Sequence, residues 1–184
     1  MPSDPRTDAE LIQLCSTAAG PAATAAFELL YRRHRPYVLR VAARFARDRD
    51  AALDALQETF TWLLRQFPPI GPGLTLAGKL TTLLYPVAKH CALDARRRAR
   101  RDTTGIELPD EAAPAAEPPG DLEAVLASLS DDHREVLVLR FVDGFTLAEI
   151  AEALSIPLGT VKSRIHLAVK QLRDDPVARQ FFAP

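Results

Sequence analysis

The residues of this chain best suited to chemistry are basic and polar, and they occur in two clusters. The first is a run of five arginines within the six positions Arg96–Arg101. The second follows Gly159 and comprises Thr160, Lys162, Ser163, Arg164, His166 and Lys170. Arginine and lysine hydrogen-bond guanine edges and phosphates, serine bonds either, and backbone N–H groups at a helix start bind phosphate oxygens. Both clusters therefore predict contact with nucleic acid.

The net charge of −1 hides an uneven charge distribution. Residues 27–101 carry 15 lysines and arginines against 6 acids, whereas residues 102–132 carry 9 acids and no base. A basic block beside an acidic block is typical of chains that bind nucleic acid or carry an acidic tether. The distribution thus supports a nucleic-acid partner, although the whole-chain charge taken alone argues against one.

Enzyme chemistry finds no support in the sequence motifs. The chain has no nucleotide-phosphate loop, no G-x-S-x-G and no H-E-x-x-H, so we expect no catalytic, cofactor or metal site. Cys15 and Cys91 are too few for a disulfide scaffold and lack a metal-binding spacing with the four histidines. No stretch approaches the roughly 20 apolar residues of a membrane span, and the N-terminus lacks a signal pattern. A cytoplasmic protein is therefore expected.

The elements that must position the first cluster are helices. Thr7 and Glu10 form a capping-box pattern for a first helix, which Gly20-Pro21 is expected to end. A second helix contains Pro36, a candidate kink. Its apolar stripe comprises Phe27, Leu30, His34, Val38, Val41 and Phe45.

A third helix is predicted after Asp50, with an apolar stripe and an opposite polar face. The stripe comprises Leu53, Leu56, Phe60, Leu63, Leu64 and Phe67. The polar face comprises Asp54, Gln57, Glu58, Thr61 and Arg65. After a Pro- and Gly-rich loop, a fourth helix is predicted from about Thr81 to Arg101, and it carries the arginine run at its end.

A change of composition divides the chain. Residues 102–120 are rich in Pro, Ala and acids, and their four prolines forbid a continuous helix, which predicts an extended linker. No strand-like alternation is convincing elsewhere. We therefore expect an all-α chain of two helical domains, residues 1–101 and 121–184, joined by a flexible acidic linker at 102–120.

The second domain is predicted to begin with two short helices. One covers Leu122–Leu129, and the next is capped by Ser130 and ends at Asp143-Gly144, where glycine suits a left-handed backbone. The apolar positions of this second helix are Val136, Leu137, Leu139 and Phe141.

Two further helices carry the second polar cluster. Thr146 and Glu149 form a capping box, and Ser155-Ile156-Pro157 breaks the helix that follows. The pair Leu147–Leu154 and Gly159–Arg173 has the length and tight turn of a helix-turn-helix, and the second helix presents the cluster. From composition alone, a plain helical hairpin with a solvated basic face explains the pattern equally well.

The string LSDDHREVLVLRFVDGFTLAEIAEALSIPLGTVKSRIHLAVKQLR closely resembles region four of the bacterial extracytoplasmic-function (ECF) sigma factors. Residues 8–101 resemble region two more loosely, through AFELLYRRHRPYVLRVAARF, DAALDALQETFTWL and LLYPVAKHCALDARRR. Order, spacing and linker agree, so the resemblance covers nearly the whole chain. It implies a protein that binds core RNA polymerase, recognises a two-part promoter and opens DNA, without catalysis of its own.

The resemblance also implies roles for the residues at matching positions. Docking on core polymerase falls to Asp54, Gln57, Glu58 and Thr61. The minus-ten DNA, a single strand that needs a basic track and stacking partners, falls to Lys89, His90, Arg96 and Arg97. The minus-thirty-five DNA falls to Thr160, Lys162, Ser163, Arg164, His166 and Lys170.

Further partners are implied by the resemblance alone. An anti-sigma protein that wedges between the two domains is expected, and the free protein is expected to be a monomer without membrane insertion. The acidic linker either follows the RNA exit path of polymerase, where its acids imitate a nucleic-acid backbone, or acts only as a soluble tether.

The chain departs from the family pattern at DNA-facing positions. Leu83 replaces the usual Trp, His90 the usual Asn, and Leu80 a common loop aromatic, while Leu167 and Val169 stand where arginines are frequent. Two other classes therefore stay open. One is a helix-turn-helix regulator that binds DNA without polymerase, against which the polymerase-facing set argues. The other is a sigma-like decoy that binds only proteins, against which the arginine run argues.

Overall fold

The computed structural model describes residues 4–102 and 126–175. In these two ranges every regular element is helical, which confirms the all-α prediction. Contacts between residues divide the chain into two units, Met1–Ala112 and Ala113–Pro184. Residues 103–120 of the predicted linker lie outside the described residues, as do Leu122 and Val125 of the short helix predicted after it.

The first unit contains four helices. They are α1 (Asp8–Thr17), α2 (Pro21–Phe45), α3 (Arg49–Leu64) and α4 (Leu80–Asp102). The predicted capping box is present, since Glu10 donates its backbone N–H to the Thr7 side chain and its carboxylate accepts from the Thr7 N–H. The prediction for Gly20-Pro21 is wrong: α1 ends at Thr17, and Pro21 is the first residue of α2 because its fixed φ and missing N–H suit that position.

Of the stripes predicted for α2 and α3, one needs adjustment. The α2 stripe packs as expected, with Leu30, Val38 and Val41 fully buried and the helix unbroken through Pro36. In α3, however, Leu64 is 47% exposed, and Ala52 and Ala55 are buried in its place. These small residues join Ala42 of α2 and Ala92 of α4 in one cluster, because alanine lets helix backbones approach closely.

An aspartate of α1 that bonds two side chains of α2 holds these helices together. The Asp8 carboxylate accepts from Arg33 Nη1 at 2.6 Å and lies 2.8 Å from His34 Nε2. His34 is 7% exposed, and this burial lowers the pKa of its imidazole against the opposing pull of Asp8.

The Pro- and Gly-rich loop between α3 and α4 is fixed to the helices. Phe67 is buried and packs edge-on against Phe27 of α2. The Ser16 hydroxyl accepts from the Leu74 N–H at 3.0 Å and donates to the Leu74 carbonyl at 3.2 Å. Gly71 passes so close to the Arg65 carbonyl that a Cβ would lie 2.4 Å from its oxygen, so only glycine fits.

The second unit contains α5 (Asp131–Leu137), a π-helical turn (Val138–Val142), α6 (Leu147–Leu154) and α7 (Leu158–Asp174). Ser130 and Thr146 cap α5 and α6 as predicted. Gly144 adopts φ +70°, and Ser155 adopts the left-handed region at φ 53°, which separates α6 from α7. Phe141, grouped by sequence with the apolar positions of α5, is 69% exposed on the π-helical turn.

Candidate binding surfaces

The predicted docking residues share the outer face of α3. Asp54, Gln57 and Thr61 are exposed and Glu58 is half-buried, because the apolar residues between them point into the helical core. All four line one open groove of about 820 Å³. The groove is also lined by Arg47, Arg65, Arg96 and Arg98, so its walls carry both carboxylates and guanidinium groups.

One ion pair spans this groove. Arg98 of α4 donates from Nη1 to Glu58 Oε1 at 2.9 Å and from Nη2 to Oε2 at 3.4 Å. The hydrogen bond that Arg98 donates to Glu58 raises the pKa of Arg98, which stays fully charged. A docking residue is thus bonded to an arginine of the basic helix end.

The four predicted minus-ten residues do not form one surface. Lys89 places Nζ 5.3 Å from the centroid of the Phe45 ring, a cation–π contact with α2. His90 Nε2 and Arg97 Nη1 both contact the Asp94 carboxylate, at 3.0 and 3.1 Å. Arg96 lines the docking groove. His90 and Arg97 therefore lie together on α4, while Lys89 and Arg96 face other neighbours.

The first half of α4 is structural. Leu80 and Leu84 are completely buried and Tyr85 is 1% exposed, whereas Leu83 is half-buried and Pro86 is exposed within a continuous helix. The position where the family carries a loop aromatic is therefore a core position in this chain. Its side chain anchors the helix start.

The recognition-helix residues divide into two groups. Lys162, His166 and Lys170 recur every four residues and line a groove of about 580 Å³ with Arg173 and an apolar floor of Leu147, Ile165 and Val169. Arg164 instead forms an ion pair with Asp132 of α5. Ser163 donates its hydroxyl to the Thr160 carbonyl at 3.0 Å, and Thr160 is half-buried.

Sequence reasoning missed Arg98 and Arg173. Arg173 lies one turn beyond Lys170 on the same side of α7, so the helical period alone could have found it. Arg98 lies in the arginine run that the sequence singled out, but its partner is 40 residues away in sequence and no periodicity connects them.

Other chemistry is absent from the part of the chain that the structure describes. No group of three or more His, Cys, Asp or Glu side chains there is placed to hold a metal ion. Burial raises the pKa of both cysteine thiols, Cys15 and Cys91, which makes them poor nucleophiles. Among the described residues no helix combines the length and apolarity that a bilayer crossing needs.

The first unit presents a groove lined by charged residues, and the second presents a helix-turn-helix. Comparison with known proteins identifies the family that combines them. Residues 30–102 match the family model of sigma-70 region 2, and residues 125–174 match that of sigma-70 region 4. RNA polymerase sigma factor CarQ of Myxococcus xanthus is 33% identical over 157 residues, covering 81% of this chain and 88% of CarQ.

Two further relatives agree. ECF RNA polymerase sigma factor SigL of Mycobacterium tuberculosis is 33% identical over 166 residues, covering 85% of this chain and 92% of SigL. SigE of Mycolicibacterium smegmatis is 33% identical over 165 residues, and the chain spans 62% of that longer protein. The chain belongs to the ECF sigma factor family, whose members are transcription initiation factors rather than enzymes.

The fold has solved counterparts. CnrH, solved in complex with the cytosolic domain of CnrY, matches 91% of this chain and 95% of its own with a TM-score of 0.62 at 21% identity. The sigma factor RpoE of Bartonella quintana, solved with the anti-sigma factor NepR, matches with a TM-score of 0.58 at 20% identity. At these identities the likeness is one of fold.

Proposed function

We propose that this protein is the promoter-specificity subunit of an RNA polymerase holoenzyme: it binds core polymerase, recognises a two-part promoter and promotes DNA opening. One observation carries the proposal. A chain of this family presents Asp54, Gln57 and Thr61 unburied beside Glu58 on one face of α3, in a groove large enough for a helical partner. A regulator that binds DNA without polymerase has no use for such a face.

In this proposal the α3 groove is the polymerase surface. The groove carries both carboxylates and guanidinium groups, so it suits a partner helix that also carries acidic and basic side chains. Opposite charges can then meet along the groove. Asp54, Gln57, Glu58 and Thr61 make the contacts. Trp62 and Ala51, which also line the groove, supply apolar area between them.

The minus-ten strand is assigned to the exposed side of α4. His90 and Arg97 are 71% and 69% exposed, so both reach a phosphate or a base once they leave Asp94. Arg96 and Lys89 are assigned to the same strand from other sides of α4, since Arg96 lines the groove beside α3 and Lys89 contacts the Phe45 ring.

The minus-thirty-five element is assigned to α7. Lys162, His166 and Lys170 face one groove and are suited to base edges and phosphates, while Thr160 and Ser163 lie at the helix start, where backbone N–H groups favour phosphate. Arg164 joins them by exchanging Asp132 for DNA.

The domain limits and partners complete the proposal. Residues 1–101 form the region-two domain, 102–120 the acidic linker and 121–184 the region-four domain. Because the sigma factor RpoE, which shares this fold, was solved with the anti-sigma factor NepR, an anti-sigma protein is the expected regulator. The protein acts in the cytoplasm, is monomeric when free, and needs neither cofactor nor metal.

The proposal is tested by binding in two steps. Labelled protein is titrated with core polymerase, and the complex and the free protein are each titrated with a pool of genomic promoter fragments. We expect binding to core, and selective retention of fragments only by the complex. Selective DNA binding without core would identify a stand-alone regulator, and core binding that selects no fragments would identify a decoy.

A further inference from the structure

The ion pair between Glu58 and Arg98 joins two surfaces that the proposed function uses for different partners. Its two hydrogen bonds, at 2.9 and 3.4 Å, engage both carboxylate oxygens with both terminal nitrogens of the guanidinium. The side chains are 41% and 61% exposed, so a partner can reach either one without unfolding the helices.

The surroundings of Arg98 make Glu58 its acceptor. Asp94, one helical turn earlier, is contacted by Arg97 and His90. Asp94 acts on Arg98 only as a nearby charge, whereas the hydrogen bond to Glu58 is the largest influence on the pKa of Arg98. Arg98 of α4 is thus bonded across to the predicted docking face of α3.

Each member of the pair blocks the other. A partner cation that docks on Glu58 competes with the guanidinium, because both are attracted to the same two carboxylate oxygens. Displacement leaves Arg98 charged and without its acceptor, beside Arg97 and close to Arg96. A guanidinium in that position attracts an anion, and phosphate matches its fork geometry.

We propose that the Glu58–Arg98 ion pair masks a DNA-binding arginine in the free protein, and that docking on core polymerase unmasks it. The inference rests on the proposed function and deepens it, because it assigns Arg98 to the DNA backbone and makes core and DNA binding cooperative. The coupling is reciprocal: whatever removes Arg98 from Glu58 strengthens docking by the same factor.

The size of the effect follows from the exposure of the pair. An exposed ion pair contributes little, so breaking it changes an affinity by about two- to fivefold at low ionic strength and less at high salt. A change of this size shifts the equilibrium between the free protein and the protein bound to core polymerase, but it does not switch binding on or off.

The first experiment measures the affinity of core polymerase for the full-length protein at low salt. Arg98→Gln removes the competitor, so we expect binding about two- to fivefold tighter than wild type. Arg32→Gln is the matched control, because Arg32 forms an exposed ion pair with Glu28 on α2 and lies away from the groove. Its loss of one charge is expected to leave the affinity unchanged.

Two results contradict the masking. Weaker core binding by Arg98→Gln means that Arg98 positions Glu58 for docking instead of blocking it. Unchanged binding means that the pair carries no coupling. In the Glu58→Gln background, Arg98→Gln must leave the affinity for core polymerase unchanged. A gain in affinity that persists there arises from the change of charge alone and overturns the proposal.

The second experiment measures binding of the free protein to a single-stranded oligonucleotide. Glu58→Gln is expected to bind about two- to fivefold more tightly than Glu28→Gln, which makes the same change of charge on α2. The gain must disappear in Glu58→Gln combined with Arg98→Gln. Equal affinities of the two single variants reject the masking. If wild type fails to bind core, the proposed function fails, while this arm still decides the masking.

Discussion

The basic end of α4 and the exposed side of α7 both carry several cations, but those cations have different neighbours. On α4, Arg97 and Arg98 are bonded to Asp94 and Glu58. On α7, Lys162, His166 and Lys170 line a groove with an apolar floor. If α4 binds DNA as proposed, Arg97 and Arg98 exchange a carboxylate for a phosphate, whereas the cations of the α7 groove are presented together. In the proposed function the α4 surface therefore responds to a partner, and the α7 groove needs no such exchange to bind DNA.

The comparison first requires that α4 be held rigidly by its buried half. Leu84→Ala in the α4 core is expected to lower the free energy of unfolding by about 2–5 kcal/mol. Leu167→Ala, at the 49% exposed Leu167 of α7, is expected to change it by less than about 0.5 kcal/mol. Urea unfolding followed by circular dichroism measures both. Equal losses would show that the buried half of α4 does not anchor it.

The predicted docking face of α3 is tested by removing two of its carboxylates. Asp54→Ala combined with Glu58→Ala is expected to weaken core binding by about tenfold or more, because charged contacts at an interface centre dominate its affinity. Thermal unfolding verifies that the fold is intact, and Glu28→Ala on α2 is the control for an exposed acid. Unchanged affinity of the double variant would place polymerase docking elsewhere.

The salt dependence of DNA binding tests whether the lysines that line the α7 groove contact phosphate. Lys162→Ala and Lys170→Ala are each expected to lower the slope of log affinity against log salt by about one unit, since each phosphate contact releases about one counterion. Arg164→Ala is expected to lower it by less, because Arg164 is already neutralised by Asp132. A full unit lost for Arg164 and none for the lysines would reverse the assignment.

The smallest expected effect concerns pH and the contact between α1 and α2. Burial lowers the pKa of His34, so its imidazole takes up a proton less readily in the folded state than in the unfolded chain. Its contribution is present above the unfolded pKa and is lost as pH falls below about 6.5. Urea midpoints between pH 7.5 and 5.5 should therefore fall in wild type and fall less in His34→Gln. Parallel pH profiles would remove His34 as the cause.

Much of the fold and part of each surface follow from local rules in the sequence. The helical period separates the outer residues Asp54, Gln57 and Thr61 from the buried Leu56 and Phe60. The capping boxes at Thr7 and Thr146 form as predicted, because they depend on residues only three positions apart. Features within one turn of a helix are therefore readable from sequence.

What the sequence could not reveal depends on contacts between distant residues. Arg98 bonds Glu58 and Lys89 contacts the Phe45 ring, although the neighbouring arginines of α4 have the same local pattern as Arg98. Leu64 lies in the last turn of α3, where the apolar stripe no longer faces the core. Phe67 of the following loop is buried there instead. Which of several equivalent charges pairs across helices is set by packing and not by propensity.

The central claim is that this chain directs RNA polymerase to promoters, and transcript mapping tests it most directly. Core polymerase, the purified protein and genomic DNA are combined, and the 5′ ends of the run-off transcripts are sequenced, with core alone as the control. We predict discrete start sites that require the protein and share two sequence elements at a fixed spacing upstream. Transcripts identical to those of core alone, from a preparation that binds core, would contradict the claim.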